Sequence, residues 1–111
     1  MQQDKVLSMI SLATKAGKIV SGEFSVEKAV KEKKAVLVIV SVEASNNTKK
    51  MFKNMCEYHK VPLYFYGTKD SLGHFIGKEF RASIAVTDAG LAGGIVKQLE
   101  LAGHYEQGSE E

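Results

Sequence analysis

The chain has very little cysteine and no long apolar segment, and each absence narrows what the protein can be. Its 111 residues include a single cysteine, Cys56, which cannot form an internal disulfide and fits a reducing compartment. No apolar run approaches the ~20 residues that a membrane-spanning helix needs. Charged and apolar residues alternate at the N-terminus, unlike the pattern of a secretory signal peptide. We therefore expect a cytoplasmic protein without a membrane partner.

Arginine is also scarce, although the chain is mildly basic. All 15 lysine and arginine residues lie at or before Lys97, whereas three of the 13 acidic residues lie in the last six positions. Without these three, 15 basic residues face 10 acidic ones, a net charge of +5 that is compatible with a polyanionic partner. Only one basic residue is arginine, the type that base-reading surfaces favour. Residues 1–102 are predicted to form one domain, and residues 103–111 a flexible acidic tail with little to bury.

Helical and strand patterns alternate along the chain. Five segments have the spacing of amphipathic helices: 3–16, a segment after Gly22, about 46–60, a short segment between Thr68 and Gly77, and one after Asp88. Four strands are predicted between them: Ile19–Val20, 35–41, 61–66 and 83–87. The second strand is apolar throughout residues 35–40, as in strands that are buried on both faces of a sheet. This order predicts an α/β protein, a three-layer α/β/α sandwich.

One pair of residues leaves an enzymatic function open. Cys56 and His59 are three positions apart on a predicted helix, so they share a face as a nucleophile and its base would. The same face carries Phe52 and Met55, which favours a cysteine packed in the core. The other histidines have no acidic or cysteine partners at metal-ligand spacing. We expect no catalytic residue, metal, cofactor or small-molecule substrate, with a cysteine-dependent enzyme as the alternative.

The lysines and the turns that open the predicted helices favour binding. The turns 21–25 and 43–47 would bring backbone amides and small hydroxyls to one end of the sandwich, where such groups suit phosphate contact. Lysines lie at the end of the first helix, on the second and at the start of the third: Lys15, Lys18, Lys28, Lys31, Lys49, Lys50 and Lys53. Lysines that are merely solvated would give the same pattern, so the pattern alone supports both interpretations equally.

Several segments occur in the order of a known family. They are 12–23 (LATKAGKIVSGE), 28–30 (KAV), 35–40 (AVLVIV), 43–50 (EASNNTKK), 61–62 (VP), 72–73 (LG), 76–78 (IGK) and 84–90 (IAVTDAG). Together they resemble the ribosomal protein L7Ae family of kink-turn RNA-binding proteins, most closely its small bacterial members, over residues 3 to about 100. The resemblance implies a mixed four-stranded sheet. It also implies a non-enzymatic, ribosome-associated monomer that binds kink-turn RNA.

The resemblance further implies which residues bind RNA at the second helix. In the family, the loop that leads into this helix presents a glycine, an Asn–Glu pair for the sheared G·A pairs of the kink, and a lysine for the backbone. Here the glycine is Gly22 and the lysine is Lys28. The Asn–Glu positions hold Phe24 and Ser25, with Glu23 one place earlier, which is a departure from the family. Phe24 cannot hydrogen-bond a base edge, but its ring can stack on a base.

Two further segments belong to the implied RNA-binding set. Of the acidic positions after the buried strand, only Glu43 is acidic here. The loop 77–83, which packs on an unstacked nucleotide in the family, offers Phe80 and Arg81 for stacking. Lys15 is predicted as an additional backbone contact. The alternative is a module of the same fold that has lost kink-turn specificity and binds proteins or serves ribosome assembly.

Overall fold

The predicted alternation of helices and strands is present throughout the part of the chain that the structure describes. The computed structural model describes residues 4–103 and 106–107. Its elements are α1 (Lys5–Lys15), β1 (Ile19–Ser21), α2 (Glu23–Lys31), β2 (Leu37–Val40), α3 (Asn46–His59), β3 (Leu63–Phe65), α4 (Lys69–Phe75), β4 (Ser83–Val86), α5 (Ala89–Ala102) and β5 (Glu106–Gln107).

Polar side chains mark the starts of most helices. Ser45, Thr68 and Asp88 each accept a hydrogen bond from the backbone N–H three residues further on, at 2.9 to 3.1 Å. Each bond satisfies one of the backbone donors that the first turn of a helix leaves without a partner. Helix α2 differs, because its N-cap is Gly22, which has no side chain that could accept such a bond.

The five strands form one mixed sheet in the order β1-β4-β2-β3-β5. Strands β2 and β3 are parallel, and the other neighbours are antiparallel. Helices α1, α4 and α5 cover one face, and α2 and α3 cover the other. The predicted three-layer sandwich is therefore confirmed, with the four predicted strands at its centre. The two-residue β5 was not predicted, and residues 104, 105 and 108–111 of the predicted tail lie outside the described residues.

Strand β2 is apolar along its whole length because it has a helix layer on each side. Leu37 and Ile39 belong to the core under α1, α4 and α5, whereas Val38 and Val40 belong to the core under α2 and α3. Successive side chains of a strand point to opposite faces, so a strand between two helix layers needs apolar residues at every position. The chain becomes polar at Ser41, where β2 ends.

One end of the sheet gathers four connecting segments, and we call it the loop end. Strands β1, β2 and β3 end there and β4 begins there, while α2, α3 and α4 start from it. Helices α2 and α3 therefore run in the same direction, away from this end. The loop end comprises residues 21–25, 41–45, 66–69 and 77–82.

Tyr66 ties the loop end to the start of α1, and we predict a measurable effect on alkaline stability. Its hydroxyl donates to Asp4 Oδ2 at 2.8 Å. Burial, this hydrogen bond and the charge of Asp4 raise the pKa of Tyr66 from 10.0 to about 12. Because the folded pKa is the higher one, the phenol stabilises the fold below about pH 10, and this contribution is lost as the pH rises towards 12.

Tyr66→Phe should therefore lower the free energy of unfolding by about 1 kcal/mol at neutral pH, since one hydrogen bond is lost. The same variant should lose less stability than the wild type between about pH 9.5 and about pH 11.5. Equilibrium urea unfolding at a series of pH values measures both effects. Equal alkaline losses in the two proteins would show that Tyr66 does not cause the pH dependence.

Candidate nucleic-acid interface

The loop end brings together most of the residues that were predicted to bind RNA. Four of them, Gly22 to Ser25, form the N-cap and first turn of α2, and Lys28 lies one turn further along this helix. Glu43 follows β2, while Phe80 and Arg81 precede β4. The N–H of Gly22 donates to the carbonyl of Ser83 at 3.0 Å, and that of Ser41 donates to Ala82 at 2.8 Å. These bonds hold the segments side by side.

Lys15 lies away from this group, at the opposite end of the sheet. It is the last residue of α1, three residues before Lys18, whose carbonyl accepts a hydrogen bond from the N–H of Thr87 at 2.9 Å. Thr87 directly follows the last residue of β4, whereas Gly22 is hydrogen-bonded to Ser83, the first residue of β4. Ser83 and Thr87 are four residues apart along extended chain, which corresponds to about 13 Å at 3.3 Å per residue. Lys15 is close to Gly22 in sequence, but β1 carries the chain across the sheet between them.

Gly22 has a backbone conformation that requires glycine. Its φ of 93° and ψ of 148° lie in a region that residues with a side chain rarely adopt. A Cβ atom at this position would meet nothing within 4 Å, so the requirement comes from the backbone and not from the available space. No side chain of the described residues caps α2. The backbone donors of its first turn are of the kind that bind phosphate groups.

Two phenylalanines stand out at the loop end because their rings face solvent. Phe24, in the first turn of α2, is 78% exposed, and Phe80, in the loop before β4, is 64% exposed. Val42, directly after β2, adds a third exposed apolar side chain. An exposed aromatic ring offers a flat surface on which an unpaired base can stack, with a stacking energy of about 1–3 kcal/mol per base.

Glu43 has a contact inside the protein that sequence reasoning missed. Its Oε1 accepts a hydrogen bond from the N–H of Lys69 at 3.0 Å, at the first residue of α4. A carboxylate in this position interacts favourably with the positive end of the helix dipole. The N–H of Glu43 donates to Ser41 Oγ at 3.0 Å, and that hydroxyl donates to the carbonyl of Gly67 at 3.0 Å. Glu43 therefore holds two loops together in addition to any contact with RNA.

Arg81 also has partners within the loop end. Its Nε donates to Ser21 Oγ at 3.1 Å, and its Nη1 donates to the carbonyl of Phe80 at 2.8 Å. The N–H of Arg81 donates to the carbonyl of Lys69 at 3.1 Å. The sequence indicated stacking for this residue and gave no sign of Ser21 as a partner. The two residues are 60 positions apart, and only the pairing of β1 with β4 brings them together.

Cys56 is not arranged as a catalytic nucleophile. It is fully buried in the core between the sheet and the layer of α2 and α3, beside Phe52. Burial raises the pKa of its thiol to about 12, so the reactive thiolate is scarce at neutral pH. This environment is that of a packing residue, and it gives the cysteine-dependent enzyme no support.

Neither a cluster of metal ligands nor a membrane-spanning helix is found among the residues that the structure describes. Among these residues, no group of three or more histidine, cysteine, aspartate or glutamate residues could hold a metal ion. None of the helices in the same region is long and apolar enough to cross a membrane.

Comparison with known proteins connects this geometry to a family. The sequence profile of the ribosomal protein L7Ae/L30e/S12e/Gadd45 family matches residues 4–93. The RNA-binding protein YlxQ of Bacillus subtilis is 40% identical over 92 residues, which cover 83% of this chain and 92% of that protein. The large ribosomal subunit protein eL30 of Candida albicans is 35% identical over 94 residues, which cover 79% and 85% of the two chains.

Solved structures show the same fold. A protein of unknown function from Bacillus halodurans superposes with a TM-score of 0.85 at 35% identity and covers 88% of this chain and 99% of its own. The 15.5kD RNA binding protein of Giardia lamblia gives a TM-score of 0.74 at 20% identity, with 91% and 92% covered. At that identity the second similarity shows the fold alone.

Proposed function

Because this chain belongs to the ribosomal protein L7Ae/L30e/S12e/Gadd45 family, we propose that it is an RNA-binding protein that recognises kink-turn RNA. We further propose that it acts as a monomer in the cytoplasm, in association with the ribosome. The names of the relatives support RNA as the partner, since one is an RNA-binding protein and another is a ribosomal protein. The observation that carries the proposal is the loop end. The exposed rings of Phe24 and Phe80 lie there with the backbone N–H donors of the first turn of α2, close to Lys28.

The family also decides the question of catalysis. The resemblance predicted the family correctly, and the relatives in it are RNA-binding and ribosomal proteins, not enzymes. The prediction that the chain is not an enzyme is confirmed by these relatives. Cys56 is therefore a packing residue of the core.

In the proposed complex, the start of α2 enters the groove at the kink. The backbone donors of the first turn and the exposed Lys28 contact phosphate groups, which positions the protein on the RNA. Glu23 and Ser25 are exposed in the same turn and supply an acceptor and a hydroxyl to base edges. Phe24 stacks on a base instead of forming a hydrogen bond with it.

The loop before β4 forms the second part of the proposed interface. Phe80 covers an unpaired base, in keeping with the exposure of its ring. Glu43 follows β2, the strand next to β4, and can offer its second carboxylate oxygen to a base amino group while Oε1 stays with Lys69. Lys15 has no part in this interface because it lies at the far end of β1.

One observation favours a second candidate, an interaction module that binds proteins or serves ribosome assembly. Phe24 and Ser25 occupy the positions where the family presents Asn and Glu, and Phe24 is 78% exposed. An exposed aromatic side chain is also a frequent anchor in protein–protein interfaces. The two candidates differ in whether binding depends on the G·A pairs of the RNA.

We expect Lys28→Ala to weaken binding to all RNAs similarly and to reduce the dependence of log K on log salt by about one unit, because one phosphate contact is lost. The test is a titration of labelled kink-turn RNA at several salt concentrations. The same RNA with its G·A pairs changed to Watson–Crick pairs is titrated in parallel. Lys97→Ala is the matched control, since Lys97 is exposed on α5, in the other helix layer.

Two outcomes would count against the proposal. Unchanged affinity and salt dependence in Lys28→Ala would show that α2 does not dock as described. Equal, weak binding of the wild type to both RNAs would remove kink-turn recognition and favour the interaction module.

A further inference from the structure

The only arginine of the chain connects the two segments that the proposed function places against RNA. Its Nε bonds to Ser21 Oγ at 3.1 Å, and its Nη1 bonds to the carbonyl of Phe80 at 2.8 Å. Ser21 directly precedes Gly22, the N-cap of α2. One planar guanidinium therefore spans from the turn that opens α2 to the residue that carries the exposed ring.

We infer that Arg81 is a positioning residue, which acts on RNA affinity by holding Phe80 at a fixed place relative to α2. This inference rests on the proposed function. It differs from the role that the sequence indicated, in which Arg81 itself stacks on a base. It adds Ser21 as a second positioning residue, although Ser21 is not among the RNA-binding residues that the family resemblance implies.

Backbone hydrogen bonds already hold the residues on both sides of Phe80, and the guanidinium adds a bond to the carbonyl of Phe80 itself. The N–H of Lys78 donates to the carbonyl of Gly73 at 2.8 Å, and the N–H of Arg81 donates to the carbonyl of Lys69 at 3.1 Å. Both acceptors lie on α4. The carbonyl of Phe80 belongs to the same peptide as the N–H of Arg81, so the bond from Nη1 fixes the second polar group of a peptide whose N–H is already bonded to α4. A loop that is ordered before binding avoids the loss of backbone entropy when RNA arrives.

The fork of the guanidinium explains why arginine stands at this position. Two donors on one rigid plane reach two acceptors in different segments at once. A lysine keeps the positive charge, but its ammonium is a compact group that cannot reproduce this planar two-armed geometry. A residue that only attracts phosphate would tolerate lysine, whereas a residue that bridges Ser21 and Phe80 would not.

The exchange of Arg81 for lysine therefore separates positioning from phosphate contact. If Arg81 positions Phe80, both Arg81→Lys and Arg81→Ala should weaken binding of kink-turn RNA about fivefold to tenfold, as expected for partial loss of one stacked base. The salt dependence should stay that of the wild type. If Arg81 instead contacts a phosphate group, the Arg81→Lys variant should bind RNA nearly as tightly as the wild type. Arg81→Ala should then reduce the dependence of log K on log salt by about 0.7 to 0.9. That result would overturn the inference.

Coupling to Phe80 provides the second test. If Arg81 acts through the Phe80 ring, Arg81→Ala should change RNA affinity less than about twofold in a protein that already carries Phe80→Ala, because that protein has no ring to displace. In a Phe24→Ala background the full effect should remain. Ser21→Ala, which removes one acceptor and leaves the charge in place, should weaken binding at an unchanged salt slope even if the Arg81 variants fold poorly. Additive effects of Arg81→Ala and Phe80→Ala would contradict the inference.

A measurement on the free protein distinguishes failure of this inference from failure of the proposed function. Backbone ¹⁵N relaxation of residues 78–81 should show greater mobility in Arg81→Lys and Ser21→Ala than in the wild type. Unchanged order parameters would overturn the positioning role. If the wild type shows no preference for kink-turn RNA while the loop loosens in both variants, the proposed function fails and the structural role of Arg81 in holding Phe80 stands.

Discussion

Gly73→Ala should lower the free energy of unfolding by about 2–3 kcal/mol, a large effect for one methyl group. Gly73 lies in α4, where it is buried, and a Cβ there would overlap the carbonyl oxygen of Glu79. The obstacle is backbone and not the flexible end of a side chain, so α4 and the loop 77–82 would have to move apart. The hydrogen bond between the N–H of Lys78 and the carbonyl of Gly73 would be strained by the same movement.

Gly93→Ala is the control for this substitution. Gly93 is exposed on α5, and a Cβ at this position would meet nothing within 4 Å. Alanine is the better helix former, so this variant should be as stable as the wild type or more stable by up to about 1 kcal/mol. Equilibrium urea unfolding of the three proteins gives the comparison. A Gly73→Ala protein of wild-type stability would show that the loop does not pack on α4 as described.

The second large effect concerns specificity. Phe24→Asn combined with Ser25→Glu should raise the affinity for kink-turn RNA about 10- to 100-fold, because a well-placed hydrogen-bonding pair discriminates by about 1–3 kcal/mol. Both positions are exposed in the first turn of α2, so the exchange should cost little stability. Titration of the intact RNA should show the gain. The RNA with Watson–Crick pairs in place of the G·A pairs should show none.

The single substitution Phe24→Ala completes this comparison. If Phe24 stacks on a base, its removal should weaken binding of the intact RNA, while the double variant gains more than it loses. If the double variant gained no affinity, α2 would bind RNA by another mode, in which Phe24 and Ser25 do not take the place of the Asn–Glu pair.

Local patterns predicted much of the fold because they report on properties that a short segment carries by itself. The unbroken apolar residues of β2 indicated burial on both faces, and the helix layers on each side of the sheet explain them. Helices were predicted to follow Thr68 and Asp88, and both side chains accept the backbone bond of an N-cap. These features depend on neighbours within about one turn or one strand, so the order of residues is sufficient to predict them.

The candidate site was predicted less completely because its contacts join distant segments. The structure places Phe24 and Phe80 at the same end of the sheet, and their exposure depends on what packs around them. Lys15 is seven residues before Gly22, yet it lies at the other end of β1. The hydrogen bond of Glu43 to Lys69 closes a separation of 26 residues, which no local pattern reveals.

By itself, the sequence determined the order of the five helices and the first four strands, the family, and two of the turns that meet at one end of the sheet. Only the tertiary structure decided which side chains in those loops face solvent and which bond to one another. The bridge from Arg81 to Ser21 exists because β1 pairs with β4 in one register, Ser21 opposite Ile84. A shift of one residue would turn the Ser21 side chain to the other face and remove its hydroxyl from reach, so contacts of this kind follow from strand register.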